Sequence, residues 1–169
     1  MTIKILSCDV EQTRCEILIE DLDDCQRFAG QVASLVTTPL AIALSGTLGA
    51  GKTQWTRFFA IALGALPTSI SSPTFMLVHE YASKPPIYHL DAYRIGDEDE
   101  MLEIGVEEMF DADAITVVEW SDRFPRLLPR HTLCINFESE KNPSSRRVQL
   151  QANGERIKSI LRQLVLLWS

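Results

Sequence analysis

Apolar residues in three segments of the chain recur at steps of three and four, the spacing that marks one face of an α-helix. Asp21, a good helix N-cap, precedes the first segment, and Gly64, a common helix end, follows the second. The third segment lies within residues 153–169. We predict an amphipathic helix for each. Their apolar faces are Leu22, Cys25, Phe28, Ala29, Val32, Leu35 and Val36; Trp55, Phe58, Phe59, Ala62 and Leu63; and Ile157, Ile160, Leu161, Leu164, Val165 and Trp168.

Eight other segments are short continuous or alternating apolar runs, which predict β-strands. In chain order they read TIKILS, TRCEILIE, LAIAL, FMLVHEYA, IYHLDAYRI, AITVVEW, TLCINFE and RRVQLQA. Residues 97–111 carry eight Asp or Glu and no Lys or Arg, with apolar residues at helical spacing, and predict one further helix. Because helices and strands alternate through the middle of the chain, the predicted fold class is α/β, with a mixed, mainly parallel sheet flanked by helices.

Size, charge and cysteine usage narrow the class of protein. A length of 169 residues suits one domain over residues 1–169. The net charge of −7 argues against strong direct nucleic-acid binding, which usually needs a basic face. The apolar runs are too short to span a membrane and the N-terminus lacks a signal pattern, so we expect a cytoplasmic protein. The four cysteines form no C-x-x-C pair, and we expect reduced thiols rather than a zinc site.

The segment GTLGAGKT, residues 46–53, matches the nucleotide-binding pattern G-x-x-x-x-G-K-[ST] between a predicted strand and a predicted helix. A loop without bulky side chains turns its backbone N–H groups toward phosphates. The lysine adds a charge at the β- and γ-phosphates, and the threonine hydroxyl can bind Mg²⁺. We therefore expect a P-loop NTPase-like fold that uses ATP or ADP and Mg²⁺. The candidate nucleotide-binding residues in this segment are Gly46, Gly49, Ala50, Gly51, Lys52, Thr53 and Gln54.

Acids at the ends of two predicted strands are the candidate partners of this loop. Glu119 ends the run ITVVE, where nucleotide sites usually place a second acid, more often Asp, beside Mg²⁺. Asp91, in HLDAYR, would position water or hold a metal-bound water, while the nearby His89 is typical of a structural histidine. Thr74, in SSPTF, is a candidate γ-phosphate sensor, although a plain turn explains that segment equally well. Arg94 either meets phosphate or pairs with the acidic helix. The candidate catalytic residues are Lys52, Thr74, Asp91 and Glu119, and the candidate metal ligands are Thr53 and Glu119.

Taken together, GTLGAGKT, SSPTF, HLDAYR and VVEW resemble the TsaE family, small bacterial P-loop ATPases required for making threonylcarbamoyladenosine in tRNA. The resemblance covers residues 21–150 and leaves residues 1–12 outside. It implies ATP or ADP on the glycine loop, Mg²⁺ near Thr53 and Glu119, and functional roles for Thr74, Asp91 and Trp120. It also implies TsaD and TsaB as partners, with TsaD carrying the transfer chemistry and ATP hydrolysis resetting the complex.

Two positions depart from the family pattern. Thr47 stands where the family commonly has Asp, and a serine precedes the arginines of SSRRV where the family often has glycine. The second departure leaves open which of Ser145, Arg146 and Arg147 approaches the nucleotide, and Arg147 is our candidate.

Three functions are compatible with these residues. The first is a Mg²⁺-dependent ATPase that is slow alone, since the sequence shows no obvious arginine finger. The second is a small-molecule kinase, in which the arginines of RFPRLLPR, residues 123–130, would form a phosphate-clamping lid. The third is an interaction module that binds nucleotide without useful hydrolysis and docks through its acidic helix.

Overall fold

The protein, described by a computed structural model for residues 3–9, 11, 13–70 and 76–169, is built on one eight-stranded sheet. The strands are β1 Lys4–Cys8, β2 Arg14–Ile19, β3 Leu40–Gly46, β4 Val78–Tyr81, β5 Ile87–Asp91, β6 Ile115–Glu119, β7 Thr132–Ser139 and β8 Arg146–Ala152. Their order across the sheet is β1-β2-β8-β7-β3-β6-β5-β4.

The predicted mixed sheet is confirmed, and its parallel part is the centre. Strand β3 pairs in parallel with both β6 and β7, and β5 pairs in parallel with β6. The pairs β1–β2, β2–β8, β7–β8 and β4–β5 on the two flanks are antiparallel. Strands β3 and β6 are buried almost continuously, the pattern typical of parallel strands covered on both faces.

Within the described residues, five α-helices cover the sheet unequally. They are α1 Leu22–Leu35, α2 Lys52–Ala62, α3 Glu98–Glu103, α4 Val106–Asp111 and α5 Glu155–Trp168. Helices α1, α2 and α5 pack on one face and share a core with inward residues such as Ile42 and Ile135. Helices α3 and α4 cover only the β5–β6 part of the other face, around Leu90 and Val118. The predicted cap is confirmed, because Asp21 accepts from Asp24 N at 2.9 Å.

One predicted helix is divided, and one predicted strand ends early beside the glycine loop. The acidic segment 97–111 is two helices rather than one, because Gly105 takes a positive φ of 84° between them. The strand predicted for IYHLDAYRI ends at Asp91, where the Asp91 side chain accepts from Tyr93 N and starts the 3-10 turn Ala92–Arg94. The functional consequence is that Asp91 lies at the carboxyl end of β5.

The expectation of four reduced cysteines is wrong for one pair. Cys8 and Cys15 form a disulfide, because the antiparallel register of β1 and β2 places them directly opposite each other with their Cα atoms 4.1 Å apart. Cys25 and Cys134 are free. Within the described ranges, no helix is both long enough and apolar enough to cross a membrane.

Candidate functional site

The glycine loop joins the end of β3 to the start of α2 at the centre of the sheet. A Cβ at Gly46 would lie 2.2 Å from the Phe137 carbonyl oxygen of neighbouring β7, so the backbone approaches too closely for any side chain. Gly49 and Gly51 have φ values of 76° and 110°, in the region that glycine adopts at low cost. Glycine therefore suits all three positions, at Gly46 because a side chain would clash, and at Gly49 and Gly51 because other residues adopt such φ values only at a cost.

The start of α2 is open to an anion. Gly51 is its N-cap residue and makes no side-chain capping hydrogen bond. The first amides of a helix have no partners within the helix and carry the positive end of its dipole. The loop and the first turn of α2 therefore offer a ring of backbone donors suited to phosphate.

Lys52 is buried at the base of the loop, with only 4% of its surface exposed. Its ammonium donates to the carbonyl oxygens of Gly46 at 2.7 Å and Thr47 at 2.9 Å, and lies 3.8 Å from the ring centroid of Trp120. Burial lowers the pKa of Lys52, while the carboxylates of Glu119, Asp122 and Asp91 oppose that shift. The nearby acids therefore favour retention of the charge that a phosphate would meet.

The two predicted acids lie beside the loop because β3, β6 and β5 are adjacent and parallel. Leu44 pairs with Glu119, and Glu119 pairs with Asp91, so these residues lie level at one edge of the sheet. The Thr53 hydroxyl donates to Glu119 Oε2 at 2.8 Å. A hydroxyl next to a carboxylate beside a phosphate-binding loop is a donor set that suits Mg²⁺, which takes few protein ligands and keeps water and phosphate oxygens.

No cluster of three or more His, Cys, Asp or Glu able to hold a metal occurs in the part of the chain that the structure describes. A metal held by Thr53 and Glu119 would thus depend on ligands from a nucleotide and from water. The site fits a magnesium–nucleotide complex better than a metal ion alone.

Most of the predicted residues line one cleft of about 340 Å³. Its lining includes the predicted residues Gly49, Ala50, Gly51, Lys52, Thr53, Gln54, Asp91 and Glu119, together with Leu48, Tyr93, Arg94 and Trp120. Gly46 lies at the start of the same loop, and Thr74 lies outside the described residues. A larger groove of about 640 Å³ lies on the helix-free side of β8 and its neighbours, and the glycine loop does not line it.

The prediction of Arg147 as a nucleotide-binding residue is not supported, because its side chain leaves the sheet on the opposite face. There it pairs with Glu16 at 2.6 Å and Glu140 at 2.7 Å. Arg146 instead reaches the loop and donates to the Ala50 carbonyl at 2.9 Å. The signal was present in the sequence, since Arg146 alternates in step with the apolar Val148 of the core face.

A smaller cavity of about 200 Å³ lies on the other side of the loop, next to α1. Leu22, Cys25 and Phe137 give it an apolar lining, and Arg146 and Gln54 add polar groups. Gly49, Ala50 and Gly51 line both this cavity and the cleft, so the two spaces are separated only by the loop.

The arginine lid expected for a kinase is not formed by Arg123. That side chain donates to the carbonyl of Ala92 at 2.8 Å and to the carbonyl of Tyr93, and so holds the turn after β5. The guanidinium of Arg123 therefore holds the backbone at Ala92 and Tyr93 and does not cover the cleft.

Comparison with known proteins agrees with this geometry. The family model for threonylcarbamoyl adenosine biosynthesis protein TsaE matches residues 19–148, which include the loop and both acids. The chain belongs to the TsaE family. Family membership connects it to tRNA threonylcarbamoyladenosine biosynthesis and confirms the resemblance drawn from the four motifs.

Individual TsaE proteins show the extent of the similarity. The chain is 35% identical to the Bacillus subtilis protein over 124 residues, covering 73% of this chain and 76% of that one. It is 33% identical to the Treponema pallidum protein over 114 residues, covering 68% and 84% respectively. The crystal structure of Bacillus subtilis YdiB superimposes with a TM-score of 0.75 at 26% identity, covering 90% of this chain and 95% of that one.

Proposed function

We propose that this TsaE protein binds ATP with Mg²⁺ in the cleft and hydrolyses it slowly, in support of threonylcarbamoyladenosine formation in tRNA. The observation that carries the proposal is the arrangement of Lys52, Thr53 and Glu119 around a glycine loop that continues into α2. Backbone donors, a buried ammonium and a hydroxyl–carboxylate pair form a chemical set that suits a triphosphate.

A bound nucleotide would occupy both the cleft and the adjoining cavity. The loop amides and Lys52 would bind the β- and γ-phosphates in the cleft. The apolar cavity at Leu22 and Phe137, reached across the loop, suits a purine ring, and Arg146 lies at its wall. Asp21 and Leu22 both line this cavity, so the start of α1 would lie next to the base.

Thr53 and Glu119 would hold Mg²⁺ together with the nucleotide. Bound there, the metal would supply charge stabilisation at the β- and γ-phosphate oxygens. Lys52 would stabilise the negative charge that develops as the terminal phosphate leaves. Asp91 lies level with Glu119 on the next strand and would orient the attacking water.

We propose slow turnover for the isolated chain. Among the described residues that line the cleft, Lys52 and Arg94 are the cations. Arg94 lies in the short 3-10 turn Ala92–Arg94, which directly follows β5. A partner that adds a cation at the phosphates would raise the rate.

TsaD and TsaB are the proposed partners, and the cytoplasm is the proposed location. Family membership supports a role beside the other proteins of this biosynthesis. The net charge of −7 and the acidic helices α3 and α4 suit a component that does not grip tRNA by itself.

Calorimetry and phosphate release test the proposal together. Titrate the chain with ATP and ADP, with Mg²⁺ and with a chelator, and measure phosphate release alone and with TsaB and TsaD. Lys52→Ala should sharply weaken ATP binding, whereas Lys158→Ala, which removes a surface partner of Glu155, should not. A chain that shows no magnesium-dependent affinity for adenine nucleotides would refute the proposal. Binding without phosphate release in any mixture would instead favour the interaction module.

A further inference from the structure

A buried chain of hydrogen bonds reaches Glu119 from behind the cleft. The Tyr81 hydroxyl lies 2.9 Å from His89 Nδ1, and His89 Nε2 lies 2.7 Å from Glu119 Oε1. The other carboxylate oxygen of Glu119 accepts from Thr53 at 2.8 Å. Both oxygens of Glu119 are therefore engaged, one on the side of the glycine loop and one on the side of His89.

The sheet builds this chain from three neighbouring strands. Tyr81 ends β4, His89 lies in β5, and Glu119 ends β6. His89 pairs with Val117, so it lies two residues behind the sheet edge that carries Glu119. Tyr81 and His89 are each 1% exposed and Glu119 is 2% exposed. Polar groups buried this deeply need partners, and these three satisfy one another.

The chemistry of the acceptors fixes the direction of the hydrogens. A carboxylate only accepts, so His89 Nε2 carries the hydrogen that faces Glu119. In a neutral imidazole, His89 Nδ1 then accepts from the Tyr81 hydroxyl. Burial, reinforced by the Glu119 charge, raises the pKa of Tyr81 to about 12, so the phenol keeps its hydrogen at neutral pH.

We propose that His89, braced by Tyr81, is a positioning residue that holds the Glu119 carboxylate where it meets Thr53. A glutamate has three side-chain torsions, so one hydrogen bond from Thr53 leaves the carboxylate free to rotate about that contact. The second donor at Oε1 removes this freedom without occupying the loop side of the group. This inference rests on the proposed magnesium–nucleotide site.

Two substitutions at His89 separate the positioning role from a general structural one. In His89→Gln the amide nitrogen extends about as far as Nε2 and can still donate to Glu119. In His89→Asn the shorter amide reaches only the region of Nδ1 and loses that donor. ADP binding is measured by calorimetry with Mg²⁺ and with a chelator, and the ratio of the two affinities gives the gain due to magnesium.

We expect His89→Asn to lose about tenfold or more of the magnesium gain, the size of effect typical for partners that orient metal ligands. His89→Gln should keep most of the gain, and the magnesium-free affinity should be the same in all three proteins. An unchanged gain in His89→Asn overturns the inference, as does an equal loss with and without magnesium, which indicates a merely structural role.

Tyr81→Phe decides the question if His89→Asn does not fold. It keeps the ring in the core and removes one hydroxyl, and we expect it to reduce the magnesium gain. An unchanged gain in that variant overturns the inference. The wild-type protein separates the two proposals, because the absence of any magnesium gain there refutes the nucleotide site itself, before His89 is tested.

Discussion

Arg146 and Ala50 lie 96 residues apart, and the Arg146 guanidinium donates to the Ala50 carbonyl at 2.9 Å. The same side chain makes a longer contact, 3.4 Å, with the Gly49 carbonyl. The Ala50 amide donates to Thr47 within the loop. Because Arg146 holds the Gly49 and Ala50 carbonyls from outside, the remaining loop amides can face an anion on the inside. Arg146 therefore braces the glycine loop from β8.

This arrangement predicts opposite results for adjacent arginines. Arg146→Ala should weaken ADP binding by about tenfold, because a hydrogen bond from a charged donor to the loop is lost. Arg147→Ala should leave the affinity unchanged, since its partners Glu16 and Glu140 lie on the other face. Calorimetry on the two variants checks this prediction. If Arg146→Ala and Arg147→Ala bind ADP with equal affinity, Arg146 has no role in nucleotide binding.

The pair formed by Glu140 and Arg147 predicts a change of stability in acid. The hydrogen bond from Arg147 holds the pKa of Glu140 below its ordinary value of 4.5. A lowered carboxyl pKa contributes stability that is present above the unfolded-state value and is lost as the pH falls through the folded-state value. Wild type should therefore melt slightly higher than Glu140→Gln at neutral pH, and the difference should shrink as the pH falls below about 4.5 and vanish below the lowered folded-state pKa of Glu140.

The same substitution made in Arg147→Ala protein controls for effects of Glu140→Gln that do not depend on the ion pair. In Arg147→Ala protein, adding Glu140→Gln should change the pH dependence in acid much less, because Arg147, the main cause of the lowered Glu140 pKa, is missing. A wild-type advantage that persists in acid, or that survives in the Arg147→Ala background, would show that the ion pair is not its source.

The sequence is sufficient to bring Lys52, Glu119 and Asp91 together. Each follows or ends a buried apolar run, and parallel strands present their carboxyl ends at the same edge of a sheet. Glu119 ends ITVVE, and the glycine loop follows LAIAL. They lie side by side because β3 and β6, which contain these runs, are parallel neighbours in the sheet.

Other features depend on register and on backbone conformation. The bond between Tyr81 and His89 requires the antiparallel pairing of β4 with β5, which no residue pattern specifies. The disulfide between Cys8 and Cys15 requires that these residues lie opposite each other in the β1–β2 register, which the strand patterns do not specify. A positive φ at Gly105 divides the acidic helix, and glycine permits that conformation without demanding it.

Two glycine substitutions should change stability in opposite directions. Gly46→Ala places a Cβ against the Phe137 carbonyl at a φ of 126°, and should cost at least about 3 kcal/mol. Gly30→Ala, inside α1, meets no atom within 4 Å and should stabilise by about 0.5–1 kcal/mol. Denaturant unfolding measures both, and a tolerated Gly46→Ala would mean that β3 and β7 can separate at this point.

Glu119 and Asp91 differ in what they contact, and this predicts which acid serves the metal. Glu119 accepts from Thr53, whereas Asp91 accepts from the backbone of its own turn at Tyr93. Glu119→Gln should therefore abolish most of the magnesium gain in ADP affinity. Asp91→Asn should keep that gain and instead lower phosphate release, by about 100-fold if it orients the attacking water. Measuring both quantities on both variants assigns the roles, and a magnesium gain lost only in Asp91→Asn would reverse them.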